Sequence, residues 1–147
     1  MNTEEITTVL NQADAVYLAT QSSDGPVIRA LVNLRRSDLY PGPSRIAQTS
    51  DFTIYLSTSR SSAKVREIDA DPRVSLYYCL PQSFKGVTLN GRAEHVEDPS
   101  LGLGLWHDSW RIYWPDGPDN PDYCILRVRP NAVFGWNGSV PFCGPTV

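Results

Sequence analysis

The side chains best suited to chemistry gather in one stretch of this chain, Leu56 to Tyr78, which reads LSTSRSSAKVREIDADPRVSLYY. Ser57, Thr58, Ser61 and Ser62 supply hydroxyls, and Arg60, Lys64 and Arg66 supply cations. The strand pattern FTIYLS stops at these hydroxyls, and a helix follows that runs to Asp69. With Ser61 or Ser62 as its cap, the helix's first turn brings free backbone N–H groups, the positive end of the dipole and the Lys64 ammonium to one place. Such a corner suits a phosphate. Arg29 joins it if its strand pairs beside FTIYLS, and its guanidinium then offers the paired donors that phosphate oxygens accept. Each charge-assisted hydrogen bond contributes about 1.5–3 kcal/mol before the cost of ordering the groups. The same residues also read as an ordinary N-cap, a solvated lysine and an edge arginine paired with a carboxylate. From the residues alone both readings stand, and neither names a ligand.

The elements that must position this corner are short. Thr3, followed by Glu4 and Glu5, reads as the N-cap of an amphipathic helix with Ile6, Val9, Leu10 and Ala13 at helical spacing. AVYLAT and PVIRALVNL, joined by QSSDG, form a hairpin. On its second strand Ile28, Ala30, Val32 and Leu34 take alternate positions, which predicts an apolar core face and an outward face carrying Arg29 and Asn33. RRSDLYPGPSRIAQTSD is a long loop or holds a short helix. After the corner come PRVSLYYCL and KGVTLNGRAEHVE as strands, then a helix over SLGLGLWHDSWRIYW capped by Asp98 with Pro99 first in line. PDGPDNPD reads as a stiff acidic loop, YCILRVRP and AVFGWNG as the last two strands, and SVPFCGPTV as a Pro/Gly-broken tail. Many closely spaced strands with few short helices predict a mainly β, antiparallel barrel or sandwich in a single domain, and closing or splitting the barrel hides its edges.

Composition removes several classes of function. A formal charge of −3 argues against a nucleic-acid binder. Three cysteines are an odd number, and Cys79 and Cys124 sit in apolar runs, as small buried hydrophobes do in a reducing compartment. Acidic residues near the N-terminus do not fit a signal peptide, and no apolar run reaches membrane-spanning length, so the expectation is a cytoplasmic protein without a membrane partner.

Outside the corner, Trp106, Trp110, Tyr113 and Trp114 form a dense aromatic cluster with Leu103, read as helix packing rather than ligand stacking. His107 and His95 read as structural, and the acids of PDGPDNPD have no metal-site spacing. No nucleophile-histidine-acid set stands out in the sequence.

IRALVNL, YLSTSRSSAKVREIDADPRVSLYY and KGVTLNGRAEHVED, in this order, resemble the FMN-binding split barrels related to pyridoxamine 5′-phosphate oxidase, most closely the general-stress-protein branch. LWHDSWRIYWPDGPDNPDYCILRVRP and the closing FGWNG extend the resemblance from Ala15 to Trp136. The resemblance implies a Greek-key split β-barrel with a few short flanking helices, forming one domain over residues 1–147. It also implies that Arg29 and Lys64 hold the FMN phosphate beside Ser62 and Ala63, and that Ser57 and Thr58 line the phosphate and ribityl chain. Ala30, Leu31, Val32 and Asn33 fall on the strand along the flavin ring edge, and Trp136 falls where an aromatic reaches a flavin across a homodimer interface.

Three departures qualify the expected activity. Leu34 stands where the oxidase has a lysine for its substrate's phosphate, no basic residue follows Arg129, and Gly86 replaces a flavin-contacting glutamine. The flavin site survives these changes better than a vitamin B6 substrate site does. The expectation is a flavin-dependent oxidoreductase that takes electrons from a small donor to an unidentified acceptor. A non-catalytic FMN store and a split barrel using F420 or haem are the alternatives.

Overall fold

The computed structural model describes residues 1–144; Pro145, Thr146 and Val147, the end of the expected tail, lie outside the described residues. Helix α1, Thr3–Gln12, is capped by Asn2 rather than Thr3. Asn2 Oδ1 accepts from the Glu5 N–H at 2.9 Å and Glu5 Oε2 accepts from the Asn2 N–H at 2.8 Å. That reciprocal box needs the acid three residues after the cap, a spacing Asn2 has to Glu5 and Thr3 lacks. Ile6, Val9 and Leu10 then face the core.

Seven antiparallel strands follow: β1 Ala15–Ser22, β2 Gly25–Val32, β3 Ile54–Ser59, β4 Arg73–Leu80, β5 Lys85–Val96, β6 Tyr123–Asn137 and β7 Val140–Cys143. Their spatial order is β2-β1-β4-β5-β6-β3, with β7 on the far half of β6. The sheet curls into a split barrel around Leu18, Leu56, Leu76, Val87, Leu89 and Leu126, with α1 and α3, Ala63–Ala70, packed against the same core. The expected break in the last strand region is absent, because β6 runs through both YCILRVRP and AVFGWNG as one fifteen-residue strand. A bulge opposite Asn90/Gly91 absorbs Asn131, so pairing with β5 continues across Pro130. Part of the expected tail is the strand β7.

The side-chain parity of β2 is the reverse of its apolar pattern. Arg29 lies opposite the fully buried Leu18, and Leu31 opposite buried Val16, so the odd positions face inward. Ile28 is 69% exposed and shares the outer face with Tyr17 and Tyr77, both partly exposed. Pattern reading misassigns this strand because both its faces are apolar and the polar groups at 29 and 33 find partners inside.

A second core lies outside the barrel, behind β3 and β6. Helix α2, Pro41–Ala47, and helix α4, Pro99–Gly104, cover it with the aromatic segment that follows. Leu34, Leu105, Trp110, Trp114, Tyr123 and Ile125 are buried there. The expected long helix over SLGLGLWHDSWRIYW stops at Gly104, and a 3₁₀ turn takes over at Asp108–Ile112. Glycines at 102 and 104 weaken the helix, while a looser path lets Trp106, Trp110, Trp114 and Tyr123 meet at centroid distances of 5.1–6.5 Å. Among the described residues no helix is long and apolar enough to cross a membrane.

Candidate functional site

The sheet has two ends, β2 and β3, and they approach without pairing. The expected ladder between the Arg29 strand and FTIYLS is therefore replaced by a gap. A cavity of about 320 Å³ occupies it, lined by Ala30, Leu31, Val32, Ser57, Thr58 and Ser59 along the strands, with Lys64 and three aromatic residues, Trp110, Tyr113 and Trp114. The free edge of β2 leaves backbone N–H and C=O groups without a ladder partner, available to a ligand.

One end of the cavity is cationic and hydroxylic. Lys64 Nζ donates to Thr58 Oγ1 at 3.0 Å. Burial, and then the nearby positive charge of Arg29, lower the Lys64 pKa. Arg29 stands just outside the cavity lining: its Nη1 donates to Thr20 Oγ1 at 2.6 Å and its Nη2 to Glu67 Oε1 at 2.7 Å. Ser62 is the N-cap of α3, yet its side chain makes no capping bond, and its buried Oγ has no hydrogen-bond partner. Unpartnered buried hydroxyls are uncommon in a finished structure. This orphan hydroxyl, Lys64 and the Glu67-paired Arg29 lie around the start of α3, a donor set that could hold an anionic group.

The turn before α3 is held from outside. Asp122, from the loop read as merely acidic and stiff, accepts from the Ser61 N–H at 2.8 Å and from Ser61 Oγ at 3.1 Å, while its carbonyl accepts from the Arg60 N–H at 2.6 Å. The Ser61 N–H lowers the Asp122 pKa. Ser61 thus anchors the turn, and Ser62 takes the cap position.

The other end of the cavity is aromatic. Trp110 and Trp114 are buried in the second core and Tyr113 is 68% exposed at the rim. Trp114 Nε1 is buried without a partner. Tyr123, in the second core, ties α4 to β3: its hydroxyl donates to the Gly102 carbonyl at 3.1 Å and lies 3.5 Å from Ser57 Oγ. Burial raises the Tyr123 pKa to about 12, so the phenol is neutral.

Six of the residues singled out from sequence therefore meet at the cavity: Ala30, Leu31, Val32, Ser57, Thr58 and Lys64. Ser62 and Ala63 begin the helix beside them. Asn33 does not present its side chain there; its Nδ2 donates to the Leu10 and Ala13 carbonyls, both at 2.8 Å, and its Oδ1 accepts from the Arg35 N–H. Trp136, 52% exposed, lines a separate hollow with Tyr77, Cys79, Pro81, Phe84 and Lys85. A Cβ at Gly86 would overlap the Tyr77 ring and hydroxyl unless that partly exposed side chain moved aside. Sequence reasoning does not place Tyr113, Trp110 and Trp114 on the cavity lining; their density is the available signal, and it favours packing over ligand stacking. Sequence reasoning also misses Glu67, one turn beyond Lys64 on α3.

The sequence profile of the pyridoxamine 5′-phosphate oxidase family matches residues 2–137. General stress protein 26 of Bacillus subtilis is 29% identical over 85 residues, which cover 56% of this chain and 60% of that one. This chain spans less than two thirds of the length of the curated relatives it matches. A solved structure from Clostridium acetobutylicum, of a protein related to general stress protein 26, is 23% identical with a TM-score of 0.76, covering 96% of this chain and 92% of that one. The fold is also shared with an F420 reductase, 23% identical with a TM-score of 0.58 over 86% of this chain and 93% of that one. A haem-binding protein from Mycobacterium smegmatis is 20% identical with a TM-score of 0.68 over 98% of this chain and 57% of that one. At these identities the solved structures speak for the fold.

Proposed function

The chain belongs to the pyridoxamine 5′-phosphate oxidase family, and from that premise we propose that it binds FMN between two copies of itself and acts as a flavin-dependent oxidoreductase. The observation that carries this reading is the polarity of the cavity between β2 and β3, with Lys64, Thr58 and nearby Arg29 and Ser62 at one end and an aromatic wall at the other. Lys64 and Arg29 would hold the phosphate, with Ser62 Oγ and the first N–H groups of α3 as further donors. Ser57, Thr58 and Ser59 would line the ribityl chain, and the free edge of Ala30 to Val32 would meet the polar rim of the ring. Trp110, Tyr113 and Trp114 would exclude water from its face.

Bound FMN would supply the electron transfer, taking electrons from a reduced small molecule and passing them to a small acceptor. The chain's own part is to bind and orient it. Leu34, the position of the oxidase's substrate-phosphate lysine, is buried in the second core, which speaks against vitamin B6 oxidation. Trp136 is remote from the cavity of its own chain, so its expected role requires a second copy. The exposed outer face around Ile28, Tyr17 and Tyr77 supports such pairing. Cytoplasmic residence belongs to the same reading.

A non-catalytic flavin store is the second reading, favoured by one feature: Lys64 and Tyr113 are the only titratable side chains lining the cavity among the described residues. The deciding experiment titrates the ligand-stripped protein with FMN, riboflavin, F420 and haem, then assays the loaded protein with reduced nicotinamides. Saturable preference for FMN with donor-dependent turnover supports the oxidoreductase. The same preference without turnover supports the store, and equal binding of FMN and riboflavin refutes the phosphate site.

A further inference from the structure

Arg29 is already engaged by an anion from its own chain. Its Nη2 donates to Glu67 Oε1 at 2.7 Å, with side chains that are only 21% and 15% exposed. Its Nη1 is committed to Thr20 Oγ1 at 2.6 Å, with the Val27 carbonyl at 3.2 Å and the Leu18 carbonyl at 3.4 Å. Thr20 Oγ1 also lies 3.4 and 3.5 Å from the two Glu67 oxygens, so arginine, threonine and carboxylate form one closed group. What remains of the guanidinium for a ligand is Nε–H and the second Nη2 hydrogen.

We propose that Glu67 is a built-in rival of the ligand's phosphate for Arg29, weakening the hold on phosphorylated ligands while it keeps the guanidinium aimed. This rests on the reading of the corner as a phosphate site. Glu67 sits three residues after Lys64 on α3, the helix that begins the corner, so its carboxylate is carried on the same helix face as the lysine. Arg29 and Lys64 together with Glu67 leave one net positive charge to meet a phosphate that carries nearly two negative charges. In this half-buried setting the repulsion between carboxylate and phosphate is screened less than it is in water. The riboflavin part of a ligand does not experience this repulsion, so the effect falls on phosphate selectivity.

Glutamine at 67 removes the charge and keeps an oxygen for Arg29 Nη2. The full-length protein and E67Q are titrated calorimetrically with FMN, riboflavin and inorganic phosphate, with circular dichroism confirming the fold. Rivalry predicts that E67Q binds FMN about tenfold more tightly and riboflavin equally, and that it takes up inorganic phosphate at correspondingly lower concentration. Unchanged or weaker FMN binding by folded E67Q overturns the proposal and makes Glu67 a purely structural partner. Should wild type show no preference for FMN over riboflavin, the FMN reading falls by itself. The inorganic phosphate titration then still decides the rivalry: a gain in E67Q supports it and no gain refutes it. If E67Q folds poorly, E67M serves as the uncharged variant of similar length, with the same two outcomes.

Discussion

Lys64 Nζ lies 3.0 Å from Thr58 Oγ1, so the first turn of α3 is tied directly to the edge strand β3 at the mouth of the split. This contact makes the lysine a fixed member of the cavity wall. Lys64→Ala is expected to weaken FMN binding about 10- to 100-fold, the equivalent of one charge-assisted hydrogen bond, and to leave riboflavin binding nearly unchanged. Parallel fluorescence titrations of the two flavins check it.

The same lysine predicts a pH dependence. Its pKa is lowered from 10.5 by burial and by Arg29, so between the lowered value and 10.5 the unfolded chain binds more protons than the folded one. Stability of the ligand-free protein therefore gains from Lys64 as pH rises through that window. Phosphate binding changes the other way, because it needs the charged amine. The preference for FMN over riboflavin should fall as pH rises through the lowered Lys64 pKa, and Lys64→Arg should flatten the profile.

Tyr113 separates ring contacts from folding. Being largely exposed, its removal in Tyr113→Ala should change stability by no more than about 0.5 kcal/mol. If it covers a flavin ring, the variant binds FMN and riboflavin more weakly by the same factor. A loss confined to FMN would place Tyr113 at the phosphate instead.

Ile28→Glu puts a charge on the outer face without touching the cavity lining. On the proposed pairing, the expected outcome is a monomer by sedimentation velocity, together with flavin binding weakened by loss of the second copy's Trp136. A dimer that persists with full binding would remove this face from the interface.

Asn33 is expected to matter for stability. Asn33→Ala leaves the Leu10 and Ala13 carbonyls at the end of α1 without their donor and should cost about 1–3 kcal/mol in denaturant melts. Asn33→Asp should cost more, because a carboxylate then faces two carbonyl oxygens.

Part of this architecture was legible because it depends on neighbours in sequence. The hairpin of β1 and β2, the helix beginning after Ser62 and the cation at 64 follow from local turn chemistry and spacing. The facing of β2 was not, since Arg29 and the following Asn33 turn inward to partners on other elements, Thr20 on β1, Glu67 on α3 and the carbonyls of Leu10 and Ala13. Buried Arg35 is a similar case: it donates to Asn11 Oδ1 and to the Ala47 and Thr49 carbonyls, and burial lowers its pKa. Nothing in its local sequence distinguishes it from its neighbour Arg36, which pairs with Asp14 and Asp38.

By itself the sequence determined the mainly β class, most of the early elements and the hydroxyl and cationic residue types of the corner before α3, because propensity, capping and alternation act over a few residues. The tertiary structure decided that β2 and β3 stay apart, that aromatic residues from beyond α4 wall the gap between them, and that Arg29 meets a carboxylate before any ligand does. Those outcomes depend on which distant surfaces can be buried together and which buried polar groups find partners, and neither is a property of a local stretch of chain.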